Sequence, residues 1–259
     1  MHVSRRALLI ESSKAKGQKE IAGCRRDVER LQSWLGNVVG GAWNASEITI
    51  LHDPTRKEID DAKKLAFGVD FAFLAFSGHG RIIEDWTGNR KQKIIIGTGE
   101  EIDFNDLLPS AKKAIHLCDA CREIHRPAAL ELSVNKAMQK YARFSESTGY
   151  SRADYRAVYD QWVDSARGTY TMYSCTAGQC AGDDPLNGGV FTGTLLDLSG
   201  RWYEAATKSA VLSVDAALNL TKPVVGAASR RADADSPQDP SGTPSARDGT
   251  PFPFAIALV

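Results

Sequence analysis

The stretch Phe71-Ala72-Phe73-Leu74-Ala75-Phe76-Ser77-Gly78-His79-Gly80 decides how this chain is read. Six consecutive apolar residues are what a strand buried on both faces shows, and such strands belong to parallel sheets covered by helices on either side. The run stops abruptly at a histidine flanked by glycines. Outward from it, short apolar runs alternate with amphipathic ones. Ala7-Leu8-Leu9-Ile10, Ile48-Thr49-Ile50-Leu51, Ala114-Ile115-His116-Leu117-Cys118 and residues 170–175 read as further strands. Residues 93–96 read as an edge or hairpin piece, and 252–259 as an apolar terminal strand. Ile21, Cys24, Val28, Leu31 and Leu35 recur at helical spacing and predict a helix over 18–35. Thr55, with Glu58 three residues on, forms a capping box for a helix reaching about Phe67. Gly188-Gly189 precedes a helix that starts at Val190 and runs toward Tyr203. Residues 123–168 read as a helical insert of two helices broken near Ser147, and 226–250, crowded with Ala, Ser, Asp, Pro and Gly, as a mobile loop. The expected architecture is one α/β domain over 1–259, a six-stranded, mostly parallel sheet flanked by helices.

The composition narrows the function. The 259 residues are 42% hydrophobic and 25% charged, with 32 Lys plus Arg against 32 Asp plus Glu. No global positive field exists to hold nucleic acid or an anionic membrane, so neither is expected as a partner. No apolar run approaches the roughly 18 residues a membrane helix needs. The first residues carry the basic pair Arg5-Arg6, but only Ala7 to Ile10 are apolar before Glu11. A secretory leader needs an apolar region of about 7–15 residues, so a cytoplasmic protein is expected. Five cysteines, at 24, 118, 121, 175 and 180, are an odd number at irregular spacing, which favours free thiols in a reducing compartment.

Two strand ends carry the chemistry. Ser77-Gly78-His79-Gly80 closes one buried strand and Cys118-Asp119-Ala120-Cys121-Arg122 another. Ligands of parallel sheets bind beyond the carboxyl ends of the strands, so neighbouring strands would deliver His79 and Cys121 to one edge. A thiol beside an imidazole is the minimal nucleophilic pair, and backbone N–H groups such as those of Gly80 and Cys121 could hold a developing oxyanion. The plainer reading is a loop histidine and a small core cysteine. Zinc is a rival, because His116, Cys118, Cys121 and His125 offer four ligands in ten residues. Alternation along the strand turns 118 and 121 to opposite faces, against zinc; a redox CxxC normally opens a helix beside the strand, whereas here the first cysteine sits inside it, and no metal is expected.

Together these pieces resemble the caspase-like cysteine peptidases, the group of caspases, metacaspases and paracaspases, and most of all the bacterial metacaspase type. Leu51-His52-Asp53-Pro54-Thr55 is similar to that family's L-x-D-x-T turn, and Ile21-Ala22-Gly23-Cys24-Arg25-Arg26-Asp27 to its L-x-G-C-x-x-D helix start. Ser77-Gly78-His79-Gly80 is similar to its histidine motif, Asp119-Ala120-Cys121 to its nucleophile motif, and Gly189-Val190-Phe191-Thr192 to its G-x-F-T helix. The resemblance covers about 5–122 and 170–205. It implies a three-layer caspase-like sandwich in which His79 is the general base and Cys121 the nucleophile of peptide hydrolysis through a thioester.

The resemblance also implies a specificity pocket built from Cys24, Asp27, Ser77 and Asp119. Two carboxylates in a narrow pocket favour a cation, so cleavage after Arg or Lys is expected, with a protein or peptide carrying that residue as the substrate. The alternative for Asp27 is a local pairing with Arg25, Arg26 or Arg30. Asp119 has apolar neighbours and needs a partner. True caspases use Arg where these carboxylates sit.

The chain also departs from the family. Cys121-Arg122-Glu123 replaces the C-H-S-G of metacaspases, and the acidic run after the histidine motif is only Glu84-Asp85, so neither a calcium site nor any cofactor is expected. Arg143, Arg152, Arg156 and Arg167 in the insert are candidate autocleavage sites, while the insert could equally dock an activating partner. Small bacterial relatives act in antiviral defence or cell death, and the same role is expected here by analogy. A catalytically silent regulatory module on the same fold and a peptide ligase with the same dyad are the alternatives.

Overall fold

The computed structural model describes residues 3–86, 88–124, 149–184, 187–232, 237–245 and 251–259. In chain order the elements are β1 (Arg5–Ser12), α1 (Gly23–Gly36), β2 (Ile48–His52), α2 (Arg56–Leu65), β3 (Phe71–Gly78), β4 (Gly80–Glu84), β5 (Arg90–Ile95), β6 (Glu101–Asp103) and β7 (Lys113–Asp119). They continue with α3 (Arg152–Ser165), β8 (Thr169–Tyr173), β9 (Asp183–Asp184), β10 (Gly188–Gly189), α4 (Val190–Glu204), β11 (Ala210–Ser213), α5 (Val214–Ala232), β12 (Ser241–Pro244) and β13 (Pro253–Ala257).

Every residue of β3 is buried, as its unbroken apolar run requires, and the strand lies inside a six-stranded sheet of order β12-β8-β7-β3-β1-β2. All pairings in it are parallel except β12 with β8. Side chains alternate between two cores. Ala7, Leu9, Phe71, Phe73, Ala75, Ile115 and Leu117 pack with residues of α1, α3, α4 and β13. Leu8, Ile10, Leu74, Phe76 and Cys118 pack on the other face with α2 and the β4–β6 region. Period-two alternation with apolar residues in both registers is what a sheet covered on both faces needs. The result is an α/β three-layer sandwich.

Several local expectations are corrected. Of the two readings of 93–96, the hairpin piece holds: residues 93–95 lie in β5, the middle strand of a separate antiparallel β4-β5-β6 sheet, and not at the edge of the main sheet. The terminal apolar segment is a strand as expected; it forms β13, paired with β11 outside the main sheet. The sixth strand is β12, inside the stretch read as a mobile loop over 226–250, and the first residues of that stretch continue α5 to Ala232. β12 is the polar sequence Ser241-Gly242-Thr243-Pro244, held at the sheet edge by backbone pairing, where a proline is tolerated. The helix expected from residue 18 begins only at Gly23. Of the helical insert over 123–168, α3 is its second helix; 125–148, where the first was expected, lie outside the described residues.

Strand order reverses between β1, whose chain moves outward to β2, and β3, which returns to its other side. The crevice at such a reversal is where parallel α/β sheets take their ligands, and the β1–α1 loop, the β3 end and the β7 end all open into it.

Candidate active site

Ser77 pairs with Asp119 in the parallel β3–β7 register. His79 and Cys121 lie two residues beyond these partners, so both leave the sheet at the same edge and in step. The two turns are in contact: a Cβ placed on Gly80 would lie 2.9 Å from the Ala120 Cβ. Glycine is therefore demanded there by close approach. Gln92 of β5 ties them further, its Nε2 donating to the Cys121 carbonyl at 3.1 Å and to the Lys93 carbonyl at 3.0 Å. Beyond the turns, the Ile82 amide donates to the Glu123 carbonyl at 2.9 Å, and Ile82 bridges Ile124 in parallel.

The His79 ring is partly exposed and its Nε2 lies 2.6 Å from the Lys19 carbonyl oxygen in the β1–α1 loop. A carbonyl only accepts, so Nε2 carries a proton and Nδ1 is the nitrogen left to accept one. The unwinding of 18–22, which the helical spacing did not foretell, supplies that carbonyl. A cavity of about 290 Å³ opens over His79 and Gly80, bordered by Gln18, Glu101 and Glu123.

Cys121 Sγ receives the Ala181 amide at 3.3 Å, with the Ala181 carbonyl 3.9 Å away, so Cys180, the residue before, is held next to the same sulfur. The Cys180 contact, opposed by burial and assisted by the Ala181 amide, draws the Cys121 thiol below its ordinary range. The Cys180 thiol is pushed up by the same contact. Arg122 anchors the turn: its Nε donates to Gln92 Oε1 at 3.0 Å, its Nη1 to the Cys175 carbonyl at 3.2 Å, and its guanidinium carbon lies 4.0 Å from the Tyr173 ring centroid. The Arg122 amide donates to the Gln179 carbonyl and its own carbonyl accepts from Gly178, so the loop after β8 is laced over the nucleophile turn.

The four residues expected in the specificity pocket converge. Cys24 and Asp27 come from α1, Ser77 from β3 and Asp119 from β7, and none is more than 4% exposed. Ser77 Oγ donates to Asp27 Oδ2 at 2.6 Å, and the Gly189 amide to Asp27 Oδ1 at 2.8 Å. Asp119 Oδ2 accepts the Thr192 amide at 3.1 Å and its hydroxyl at 2.7 Å, at the start of α4. Arg25 and Arg26 pair with Glu29 instead, and Arg30 with Asp197, so among the described residues the local arginine pairing of Asp27 is not made. Burial, and then the Asp119 charge, push the Asp27 carboxyl well up; burial also raises Asp119 against its Thr192 bonds. Burial followed by the Asp27 charge raises the Cys24 thiol.

β10 roofs this pocket. A Cβ on Gly189 would stand 2.5 Å from Asp119 Oδ2 and 2.9 Å from Asp27 Oδ2, so only glycine passes between the two carboxylates. A third carboxylate, Asp183, receives the Gly23 amide at 3.2 Å, and burial raises it to about 6. Residues the sequence reading missed hold the roof and loop: Gln238 accepts from the Gly182 amide and donates to the Ser174 carbonyl, both at 3.0 Å. Gln179 Nε2 donates to Asp239 Oδ2 at 2.9 Å. The signal for 238–239 was hidden in a stretch whose composition reads as loop.

Of the zinc candidates, His116 is buried in β7 with Nδ1 3.1 Å from Thr171 Oγ1, and burial holds its imidazole at about 4. Cys118 faces the second core, and His125 lies outside the described residues. Among the described residues no group of three or more His, Cys, Asp or Glu side chains is arranged to hold a metal ion, and no helix is long and apolar enough to cross a membrane.

A three-layer α/β sandwich whose two adjacent strands end in a histidine turn and a cysteine turn defines the class of caspase-fold proteins. Residues 4–235 match the family model described as the caspase domain, so the chain belongs to that family of cysteine peptidases. Among solved structures it is similar to caspase-1 from Spodoptera frugiperda, with a TM-score of 0.60 and 13% identity over 96% of this chain and 90% of that one. It is also similar to a protein of Geobacter sulfurreducens, with a TM-score of 0.58 and 16% identity over 98% of this chain and 99% of that one. No curated protein sequence matches significantly.

Proposed function

We propose that this caspase-domain protein is an endopeptidase that cuts after Arg or Lys, with His79 as general base and Cys121 as nucleophile. The observation that carries the reading is the Ser77–Asp119 register, because it brings the imidazole, the thiol and the acid pocket to one sheet edge. His79 Nδ1 takes the Cys121 proton; the sulfur attacks the scissile carbonyl, and the N–H groups of Gly80 and Cys121 receive the oxyanion. The imidazolium returns the proton to the leaving amine, and water, activated by the same imidazole, cleaves the thioester.

Asp27 and Asp119 are buried and raised by their shared environment. A guanidinium entering between them supplies the opposite charge that burial denies, and Arg can meet carboxylates bidentately. Cys24 and Ser77 line the same pocket. Admission of the side chain requires β10 to be drawn aside, which makes β10 the element on which an activating partner would act. No cofactor enters this chemistry, and calcium is not required by it. The cytoplasm, and a bacterial defence or cell-death pathway, are the setting proposed by family analogy.

The test is digestion of a randomised peptide library, with and without calcium, followed by sequencing of the cut ends and mass analysis of the products. Cuts after Arg and Lys in both conditions are expected. Cuts after Asp, or joined rather than hydrolysed peptides, would overturn the reading.

A further inference from the structure

We propose that Cys121 and Cys180 form a reversible disulfide under peroxide, so that the loop after β8 carries a built-in resolving thiol for the nucleophile. Of the five cysteines, Cys24, Cys118 and Cys175 are buried, whereas Cys121 and Cys180 are both partly exposed. These two are 59 residues apart in sequence, yet the loop after β8 brings Cys180 to the nucleophile turn, the amide that follows it bonding to the Cys121 sulfur. The Ala181 amide, 3.3 Å from Cys121 Sγ, fixes Cys180 beside it, and the Arg122–Gln179 and Gly178–Arg122 backbone bonds hold the loop in that position. The competing thiol, Cys175, is turned inward onto the carbonyls of Ala120 and Gln179 at 3.6 and 3.3 Å. Cys118 points into the second core.

The chemistry balances with hydrogen peroxide as the oxidant. The Cys121 thiolate attacks one peroxide oxygen, giving a sulfenic acid and, after protonation of the leaving hydroxide, one water. Cys180 then attacks the Cys121 sulfur. The S–O bond breaks, the S–S bond forms, and the departing hydroxide leaves as a second water with the Cys180 proton. The Cys121 contact and burial push the Cys180 thiol up, with Glu123 adding to the shift. Cys180 thereby remains protonated until Cys121 has been oxidised, the order a resolving cysteine needs. A small-molecule thiol reverses the bond by exchange. The disulfide traps the nucleophile before it reaches the irreversible sulfinic and sulfonic states.

Loss of activity on oxidation rests on the peptidase reading above; formation of the bond does not. The full-length reduced chain is treated with a slight excess of hydrogen peroxide, alkylated and digested with trypsin. The relevant peptides, 114–122 and 168–201, each carry a second cysteine, Cys118 and Cys175, so the linkage is assigned by fragmentation. The expected result is a mass lower by about 2 Da, two fewer alkylated thiols and a Cys121–Cys180 link that dithiothreitol removes. In the second arm, peptide-cleaving activity falls by about tenfold or more on oxidation and returns with dithiothreitol. Cys180→Ser, each sample compared with its own untreated activity, loses activity to peroxide but recovers less than about a fifth of it. Cys121 found as sulfinic or sulfonic acid with Cys180 alkylated, a link to Cys118 or Cys175, or full recovery in Cys180→Ser would each overturn the proposal. A Cys121–Cys180 link in a chain that cleaves nothing would leave the proposal standing and remove the peptidase reading instead.

Discussion

Ser77 of β3 stands level with Asp119 of β7, and from that one pairing both halves of the site follow. The paired residues face α1 and α4 and close the acid pocket with Asp27. Two positions further along each chain, His79 and Cys121 clear the sheet together.

Removing either member of the pair removes the chemistry. Cys121→Ala and His79→Ala are each expected to lower kcat by about 10³-fold or more, and the double variant by little beyond either single one, because the two act as a unit. Circular dichroism and melting temperature should stay near wild type, since both residues are partly exposed at a sheet edge. A double variant much worse than both singles would mean that they act separately.

The acid pocket has a pH signature. Burial raises the Asp183 carboxyl to about 6 from its ordinary 3.8. Between these values the folded chain holds more protons than the unfolded one, so stability falls as pH rises through that window. Asp183→Asn lacks the titration. The expected melting curves converge at low pH and separate toward neutral pH, with wild type losing more. Parallel wild-type and variant profiles from pH 4 to 7 would contradict the burial of this carboxylate.

Gly189→Ala tests the roof. Its methyl would stand 2.5 Å from Asp119 Oδ2, so β10 must shift. A destabilisation of about 1–3 kcal/mol in urea unfolding is expected from overpacking, together with altered turnover of Arg peptides. Unchanged stability and kinetics would show that the roof does not lie between the carboxylates.

Gln238→Ala probes the support of the loop. Its loss leaves the buried Gly182 amide and Ser174 carbonyl without their partner, at a cost of about 1–3 kcal/mol. Hydrogen exchange at 174–182 should accelerate while β3 and β7 stay protected; uniform protection across the loop would contradict this anchoring.

The buried strands were legible because each is a continuous apolar run, and the two chemical turns because Gly-His-Gly and Asp-Ala-Cys sit where those runs end. Thr55 and Glu58 announced α2, and their capping box is present in the structure. What stayed illegible is held by tertiary contacts rather than by local pattern. β12 is Ser-Gly-Thr-Pro, without an apolar run, and is placed by backbone pairing with β8, and α5 contains Pro223 and Gly226, residue types that weaken a helix. Residues 18–22 keep helical spacing, yet Ile21 donates its amide to Ser13 and Lys19 turns its carbonyl to His79. The four pocket residues came from family resemblance, and no periodicity signals Gly189 threading between two carboxylates or Cys180 meeting Cys121.

The most direct test is covalent trapping. A peptidyl acyloxymethyl ketone ending in Arg is incubated with the reduced chain beside matched Lys and Asp reagents, and adducts are located by mass spectrometry. The expected result is a single adduct on Cys121, formed with the Arg reagent at least about a hundredfold faster than with the Asp reagent and slowed in His79→Ala. An adduct elsewhere, or faster labelling by the Asp reagent, would contradict a Cys121 nucleophile served by His79 beside an acidic pocket.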